Sequence, residues 1–550
     1  MNGTWRVAPP IADYFSRGLL STGNFEPMIH TSPFPDVVLP DTPLTPYVLR
    51  NSLADPDRPA LIDGPSGRVI THGQLVDGIA RVAGGLAARG FGKGDVLAIL
   101  APNIPEYALA FHGAATTGGT VTTINPTYTS DEVAHQLRDS RAKYIVTIPM
   151  FLEVAQSAAE SAGGVDEIFV FGEADGASPF SDLFGDPYVG HADVDLDNDV
   201  VVMPYSSGTT GLSKGVMLTH RNLVGNLAQS EPVISITPDD VGIAVLPFFH
   251  IYGMQVLMNG AVANGSTLVT MPRFDLAEFL QICQDHKVTR YYLVPPIVLA
   301  LAKHPLVDNY DLSAARQVFS GAAPLSAEVA AEAAARIGCE VVQGYGLTET
   351  SPITHATPPG GFKPGSIGVL IPNTQCRIVD PETGEDLGLD VDGELWIRGP
   401  QVMMGYLNNP EATAATVDSD GYLHTGDIGH VDSDGHYYIV DRLKELIKYK
   451  GFQVPPAELE GLLLTHPGIA DAAVIPIPDI EAGELPKAYV QLKPGVELTA
   501  DEVMEFVAGQ VASYKQVRLV EFTDTIPKSA SGKILRRLLK DKERAARGES

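Results

Sequence analysis

Short β-branched and apolar runs alternate with longer amphipathic stretches over most of the chain before Cys376. We predict helices at residues 74–89 and 130–138, the second opened by a Thr129–Glu132 capping box. Such alternation is typical of layered α/β folds with largely parallel sheets. The predicted strands cover residues 96–100, 144–148, 167–171 and 200–203.

The pattern changes at Cys376, where strands separated by Gly and Asp turns predict a small antiparallel or barrel-like subdomain over about residues 376–440. After Asp441 we predict a compact α+β unit, with helices at 457–464 and after a Thr499–Glu502 capping box, and a strand at 473–477. The expected fold is therefore α/β. A large N-terminal domain (1–440) of layered αβ sheets carries the barrel-like subdomain and precedes a small, mobile C-terminal domain (441–550), with a hinge near Lys444.

The charge balance limits the possible partners. The 550 residues include 38 Lys plus Arg and 67 Asp plus Glu, a net charge of −29, nearly all of it before Asp441. This opposes non-specific binding to nucleic acid and anionic membranes, so we expect no nucleic-acid partner. No apolar run approaches the roughly 18 residues of a membrane span, and no membrane insertion is expected. Three scattered cysteines fit a reducing compartment, and we expect a cytoplasmic protein.

A Gly/Ser/Thr-rich segment follows the strand predicted at residues 200–203 and is a candidate phosphate loop. Its glycines let the backbone approach an anion, its hydroxyls donate hydrogen bonds, and its lysine supplies a positive charge. The spacing differs from the Walker form, which disfavours a P-loop NTPase, and by composition alone the segment could be a simple turn. Its candidate binding residues are Ser206, Ser207, Gly208, Thr209, Thr210, Gly211 and Lys214.

Four further segments carry potential site chemistry. In residues 343–349, a ring at Tyr345 could stack on a purine while Glu349 holds a divalent ion against phosphate oxygens. Asp427, after a turn glycine, could accept two hydrogen bonds from a ribose, although an Asx turn is the simpler interpretation. The remaining segments are 441–453 and 527–533; Lys533 could also be a solvated lysine on a basic C-terminal helix beginning at that residue.

Together and in this order, the five segments resemble the adenylate-forming superfamily, which includes acyl-CoA synthetases, amino-acid-activating domains and firefly-type luciferases. Residues 249–253 (Phe-His-Ile-Tyr-Gly), 294–296 (Val-Pro-Pro), 321–324 (Gly-Ala-Ala-Pro) and 444–453 are most similar to the 4-coumarate-CoA ligase branch. The similarity runs from about Pro40 onward.

The resemblance implies an ATP-dependent carboxylate-CoA ligase that works in two half-reactions, with ATP, Mg²⁺ and coenzyme A. A carboxylate first attacks the α-phosphate of ATP, and the CoA thiol then displaces AMP from the acyl-adenylate. It assigns catalytic roles to Lys533, His250, Lys448, Gln453 and Glu349. Glu349 and Thr209 are the implied metal ligands. The remaining residues that the resemblance implies in binding the nucleotide or CoA are Gly321, Ala322, Ala323, Pro324, Gln343, Gly344, Tyr345, Gly346, Thr348, Asp427, Arg442, Lys444, Lys450 and Gly451.

The acyl pocket implied by the resemblance is lined by Ile251, Tyr252, Gly346, Pro352 and Ile353. Small residues, including Gly344, predict a flat slot for an aromatic ring, and Tyr252 could bind a para-hydroxyl at its far end. An aryl or hydroxycinnamic acid is therefore the expected substrate, although the same slot would admit a medium-chain fatty acid.

Two other interpretations remain open. An amide synthetase or a luciferase-like enzyme would form the same adenylate and use a non-CoA acceptor; Lys448 and Gln453 favour the thiol. An inactive nucleotide-binding regulator would not need Lys533, Glu349 and His250 together. The chain is expected to act as a monomer or homodimer. It departs from its relatives at Pro455, where they usually carry Ala, and we expect only a stiffer loop from this change.

Overall fold

The computed structural model describes residues 28–206, 213–450, 452–529 and 532–547. It confirms the expected fold class: a large lobe of two mainly parallel sheets with helices, a small antiparallel sheet, and a C-terminal α+β unit. The helices predicted at 74–89 and 130–138 are His72–Ala88 and Ser130–Ser140, and Thr129 and Glu132 form the predicted capping box.

A nine-stranded sheet forms one half of the large lobe. Its central strands are parallel, as expected for buried apolar runs joined by helices, and antiparallel strands lie at both edges. In spatial order its strands are Val369–Leu370, Ile353–Ala356, Glu340–Gly346, Gln317–Ser320, Arg290–Leu293, Val241–Ala244, Thr267–Thr270, Pro59–Asp63 and Val69–Thr71. The connecting helices include Leu276–Asp285, Pro295–Lys303 and Ala327–Ile337.

An eight-stranded sheet forms the other half. Its order is Gly405–Tyr406, Lys214–Thr219, Val200–Ser206, Thr120–Thr123, Val96–Leu100, Ala142–Thr147, Glu167–Val170 and Ser178–Pro179, and only the second strand, Lys214–Thr219, runs antiparallel to both of its neighbours. Its helices are His72–Ala88, Glu106–Thr116, Ser130–Ser140 and Leu152–Ala162, and His220–Ile234 leads into the nine-stranded sheet. A continuous apolar core lies between the two sheets and includes Leu97, Phe111, Ile243 and Val318.

The small sheet is antiparallel throughout, in agreement with the Gly/Asp-turn pattern. Its five strands are, in order, His30–Thr31, Gln375–Val379, Gly393–Arg398, Leu423–Val431 and Tyr437–Arg442. The last strand continues two residues beyond Val440, so Asp441 and Arg442 extend from this sheet.

We call residues 445–547 the cap. Its strands are Phe452–Val454, Ile447–Tyr449, Gly483–Leu492, Ile469–Asp479 and Leu519–Phe522, and its helices are Pro456–Thr465, Ala500–Ala508 and Arg536–Arg547. Thr499 and Glu502 form the predicted second capping box. The cap has its own apolar core, which includes Leu459, Val474 and Val490. Its fold therefore does not depend on contacts with the large lobe.

Shorter elements complete the described chain. They are the α-helices Leu44–Val48, Gly260–Ala263 and Pro410–Thr416, the π-helix Tyr252–Asn259, and the 3-10 turns Pro149–Phe151, Phe180–Leu183, Pro305–Asn309, Thr348–Thr350 and Ser513–Lys515. Among the described residues, every helix is too short or too polar to cross a bilayer.

Candidate active site

The candidate phosphate loop connects two antiparallel strands of the eight-stranded sheet. Ser206 ends the first strand and Lys214 begins the second, and the two residues pair directly across the ladder. The pairing therefore holds the two ends of the loop close together. The predicted binding residues Ser207, Gly208, Thr209, Thr210 and Gly211 lie outside the described residues.

Tyr406 brings Lys214 close to Glu349. The Lys214 ammonium lies 4.7 Å from the centroid of the Tyr406 ring, and the Tyr406 hydroxyl donates a 2.9 Å hydrogen bond to Glu349 Oε1. Glu349 is buried in the 3-10 turn that also holds Thr348. Sequence reasoning missed Tyr406, because it lies 57 residues from Glu349 in an otherwise unremarked Gly-Tyr pair.

The predicted ribose residues form one connected cluster. Asp427 and Arg442 are register partners on adjacent strands, with Arg442 Nε 3.2 Å from Asp427 Oδ1. The Tyr345 hydroxyl donates a 2.6 Å hydrogen bond to Asp427 Oδ2, which places the ring predicted to stack on a purine beside the carboxylate predicted to bind ribose. Asp427 is almost fully buried.

A second residue missed by sequence reasoning, Glu394, fixes the turn before Asp427. Its carboxylate accepts hydrogen bonds from Gly426 N (2.8 Å) and Trp396 Nε1 (2.9 Å). The Trp396 bond fixes the Glu394 carboxylate, and the Gly426 bond holds the backbone immediately before Asp427, so Glu394 positions the carboxylate predicted to bind ribose. A glutamate within a strand carries no local signal of this function.

Two more predicted segments meet at the carboxyl ends of neighbouring strands, where open parallel sheets bind ligands. Gln343 Oε1 accepts a 3.0 Å hydrogen bond from Leu325 N, which ties residues 321–324 to the 343–346 strand end. Ala322 adopts φ +70°, a left-handed conformation that is unfavourable for a side chain. The backbone of Gly321, Ala322, Ala323 and Pro324 thus turns sharply beside Gly344 and Gly346.

Lys533 reaches this cleft from the cap. The preceding Gly532 has φ +78°, and a Cβ there would lie 3.2 Å from Val294 of the large lobe, so the loop lies directly against it. Burial and the Arg442 guanidinium lower the pKa of Lys533 to about 8, while Asp427 and Glu349 act in the opposite direction. The helix begins only at Arg536, so the interpretation of Lys533 as a solvated helical lysine is wrong.

His250 lies in the same cleft, within reach of the Lys533 charge. Burial, followed by the nearby Lys533 charge, lowers the pKa of His250 to about 3, so the ring is neutral at physiological pH. Its Nδ1 lies 3.2 Å from Tyr252 N and accepts that hydrogen bond, which assigns the ring proton to Nε2. In this tautomer Nε2 donates, which suits orienting a carboxylate rather than removing a thiol proton.

The predicted acyl-pocket residues come together behind His250. Ile251, Tyr252, Pro352 and Ile353 are buried, and Tyr252 opens a π-helix, an irregularity that is frequent at functional sites. The Tyr252 hydroxyl donates to the Phe319 carbonyl at 3.1 Å, so it can only accept a hydrogen bond from a substrate.

The glycines of the pocket are packed differently from the open slot expected from sequence. The Phe319 ring occupies the position of a side chain at Gly344, and the Pro352 carbonyl does so at Gly346. Both glycines therefore allow close packing of protein atoms. A small cavity of about 30 Å³, with room for about one or two water molecules, lies beside the π-helix and is lined by Val256 and Ile353 among others.

Lys448 and Gln453 lie away from the cleft. They are direct partners across a cap hairpin, so their side chains project from the same face, and both are exposed. Lys444 and Lys450 are also exposed, and Gly451 lies outside the described residues. The structure therefore brings Lys533 together with His250, Glu349, Asp427 and Arg442, but leaves the residues predicted for the second step outside.

A cleft that combines the buried carboxylates of Asp427 and Glu349, the hydroxyl-bearing ring of Tyr345 and one lysine from a separate cap is typical of nucleotide-dependent transferases or ligases. Residues 49–407 match the AMP-binding enzyme family, and residues 458–533 match the AMP-binding enzyme C-terminal domain. The chain belongs to the AMP-binding enzyme family, which confirms the resemblance predicted from the five segments.

Similar proteins cover nearly the whole chain. It is 45% identical over 526 residues to 4-coumarate-CoA ligase 1 of Solanum tuberosum (93% of this chain, 96% of that protein). It is 46% identical over 528 residues to 4-coumarate-CoA ligase 3 of Oryza sativa subsp. japonica (94% and 95%).

Solved structures share the fold of this chain over most of its length. The anthranilate CoA ligase AuaEII in complex with anthranoyl-AMP matches with a TM-score of 0.86 at 26% identity, covering 92% of this chain and 98% of that one. ATP-bound MatB from Rhodopseudomonas palustris matches with a TM-score of 0.83 at 30% identity (91% and 99%), and apo MatB with 0.73 at 31% (91% and 98%).

Proposed function

We propose that this chain is an ATP-dependent, AMP-forming carboxylate-CoA ligase of the 4-coumarate type. The single observation that carries the proposal is that Lys533 of the cap enters the cleft that holds Asp427, Glu349 and His250. A cation delivered by a separate unit suits a reaction in which an anion attacks a polyanion. The near full-length similarity to 4-coumarate-CoA ligases supports the same acceptor and substrate class.

In the first half-reaction, a carboxylate oxygen attacks the α-phosphorus of ATP and pyrophosphate leaves. Lys533 stabilises the negative charge where the two anions meet, and neutral His250 orients the acid through Nε2–H. Asp427 and Arg442 hold the ribose, Tyr345 stacks on the adenine, and the Ser206–Lys214 loop binds the β- and γ-phosphates. The backbone at Gly321–Pro324 and Gln343 forms the adenine wall.

Mg²⁺ fits the residues beside the phosphate position. The described chain contains no cluster of three His, Cys, Asp or Glu side chains that could hold a metal, and Glu349 supplies one buried carboxylate. Mg²⁺ is commonly bound by one or two carboxylates together with substrate phosphates. Glu349, with Thr209 as a second ligand, would therefore hold the ion, which would neutralise phosphate charge.

In the second half-reaction, the CoA thiol attacks the acyl carbon and AMP leaves with the carboxylate oxygen. We propose that the cap turns about Lys444, withdraws Lys533, and brings the exposed Lys448 and Gln453, with Lys450 and Gly451, toward the thiol path. The proposed domains are residues 1–440, which include the barrel-like subdomain 376–440, and residues 441–550, which include the cap. A cytoplasmic monomer or homodimer remains our expectation.

An aryl or hydroxycinnamic acid is the proposed substrate. Tyr252 and Phe319 give the pocket an aromatic end, and the Tyr252 oxygen can accept a hydrogen bond from a para-hydroxyl. A medium-chain fatty acid is the second candidate, because an apolar pocket distinguishes similar apolar groups only weakly. The likeness to the amide bond synthetase McbA, at 24% identity, is one of fold alone and does not favour an amine acceptor.

A substrate panel tests the function. Pyrophosphate release is measured with cinnamates, benzoates and medium-chain fatty acids, each with and without CoA. Hydroxycinnamates should give the highest kcat/KM, and AMP should accumulate in multiple turnovers only when CoA is present. Release of ADP in place of AMP, or equal turnover when an amine replaces CoA, would contradict the proposal.

A further inference from the structure

One carboxylate, that of Asp441, lies between the large lobe and the cap. It projects from the end of the strand Tyr437–Arg442 and is 5% exposed. Its Oδ1 accepts a 2.7 Å hydrogen bond from Arg442 N, and its Oδ2 accepts one of 2.8 Å from Ala457 N. Arg442 belongs to the nucleotide cluster, whereas Ala457 belongs to the first turn of a cap helix.

Asp441 acts as the N-terminal cap of that helix. The helix Pro456–Thr465 begins after Pro455, which provides no side-chain cap, and Pro456 has no N–H. Ala457 therefore carries the first backbone N–H of the helix, and Asp441 satisfies it from 16 residues away. A carboxylate at a helix N-terminus is favoured by the helix dipole as well as by the hydrogen bond.

A cationic partner faces Asp441 from the cap. Burial raises the pKa of Asp441, and the positive charge of the Arg536 guanidinium opposes that rise. Arg536 is itself held by a 2.6 Å ion pair with Glu460 and a 3.3 Å hydrogen bond to Val474 O. Arg536 lies three residues after Lys533. Arg536, which attracts Asp441, and Lys533, which lies in the cleft, therefore move together as parts of the cap.

These contacts cross the proposed pivot. Asp441 precedes Lys444, whereas Ala457, Lys533 and Arg536 follow it and share the cap core. A rotation about Lys444 that withdraws Lys533 must also separate Asp441 from Ala457 N. The contact accompanies the orientation in which Lys533 occupies the cleft, and we expect a rotation that withdraws Lys533 to break it.

We propose that Asp441 is a latch that selects the orientation of the cap for adenylate formation, acting as a positioning residue for Lys533. The proposal rests on the function proposed above. A hydrogen bond to a buried charge is stronger than one between neutral groups. Its loss should therefore change the equilibrium between the two cap orientations by about 10- to 100-fold.

Half-reaction assays of Asp441→Ala and Asp441→Asn test the latch. Carboxylate-dependent pyrophosphate exchange into ATP should fall about 10-fold or more in Asp441→Ala and less in Asp441→Asn, which keeps one acceptor oxygen. Conversion of supplied acyl-adenylate and CoA to the thioester should stay within about twofold of the parent or increase. A merely structural role would lower both half-reactions together, and that result would overturn the proposal.

Limited trypsin digestion gives a readout that does not depend on activity. Lys444, Lys448 and Lys450 are exposed beside the pivot, and cleavage there should be several-fold faster in Asp441→Ala than in the parent chain. If the parent chain released no pyrophosphate with any acid, the proposed function would fail while this digestion still tested the latch. Equal cleavage rates would overturn the latch whatever the activity.

Glu521→Gln is the matched control. Glu521 pairs with Lys487 at 2.6 Å and Lys542 at 2.7 Å, entirely within the cap. Its loss should lower the melting temperature of the cap without changing the ratio of the two half-reactions. A changed ratio in this control would show that cap stability, not the Asp441 contact, sets the orientation.

Discussion

Two faces of the cap carry lysines in opposite environments. Lys533 lies in the cleft, where burial and Arg442 lower its pKa to about 8, whereas Lys448 projects into solvent beside its cross-strand partner Gln453. The buried face suits a step in which negative charge builds up on phosphate. Under the proposed function, the exposed face serves the thioester-forming step, for which Lys533 is withdrawn. This contrast supports the proposal that the cap turns between the two steps.

The largest expected effect comes from Lys533→Ala. Removing a preorganised charge from the developing transition state costs about 10²- to 10³-fold. We expect pyrophosphate exchange to fall by that factor, because the carboxylate and the α-phosphate then repel each other without compensation. Thioester formation from supplied acyl-adenylate should change little. Equal losses in both steps would remove the functional difference between the two faces.

Lys448→Ala should give the opposite result. Misplacing a reacting group by a small distance can cost about 100-fold, and we expect a loss of roughly 10- to 100-fold in thioester formation. Pyrophosphate exchange should be within about twofold of the parent, since Lys448 is exposed in the adenylating orientation. Unimpaired thioester formation would leave Lys448 as an ordinary surface lysine.

The pH dependence of the first step separates the charge of Lys533 from its shape. Because its pKa is lowered to about 8, the ammonium form predominates below that pH and is lost above it. The rate of carboxylate-dependent pyrophosphate exchange into ATP, measured without CoA and at a low concentration of the acid, should fall as the pH rises through about 8. In Lys533→Arg, which stays charged, this fall should move to higher pH. An unchanged profile would show that another group titrates.

Pro455→Ala is expected to have the smallest effect. Pro455 precedes the helix Pro456–Thr465, and its loop is fixed from outside by Asp441. The substitution loosens the loop without removing a hydrogen bond, so both half-reactions should stay within about twofold of the parent. Abolished thioester formation would show that the stiffness of this loop is needed for the turn of the cap.

Sequence predicted the features that depend on local patterns. The α/β class and both capping boxes follow from spacing and propensity, and the order of the five motifs identified the family. Asp427, Arg442, Glu349 and Lys533 do meet in one cleft, although their distances in sequence alone could not show this.

The remaining features depend on contacts between distant parts of the chain. Tyr406 reaches Glu349, Glu394 holds the turn before Asp427, and Phe319 fills the space at Gly344. Each is an ordinary strand residue whose function is set by what packs against it. The expectation of an open slot at Gly344 was wrong for the same reason, since a glycine permits either a ligand or a neighbouring side chain.

The path of one oxygen atom tests the central claim most directly. A substrate acid labelled with heavy oxygen in its carboxylate is converted to the CoA thioester, and the nucleotide product is analysed by mass spectrometry. If the carboxylate attacks the α-phosphate, each AMP formed carries one heavy oxygen atom. Unlabelled AMP, or a label found in inorganic phosphate beside ADP, would contradict an acyl-adenylate formed in this cleft.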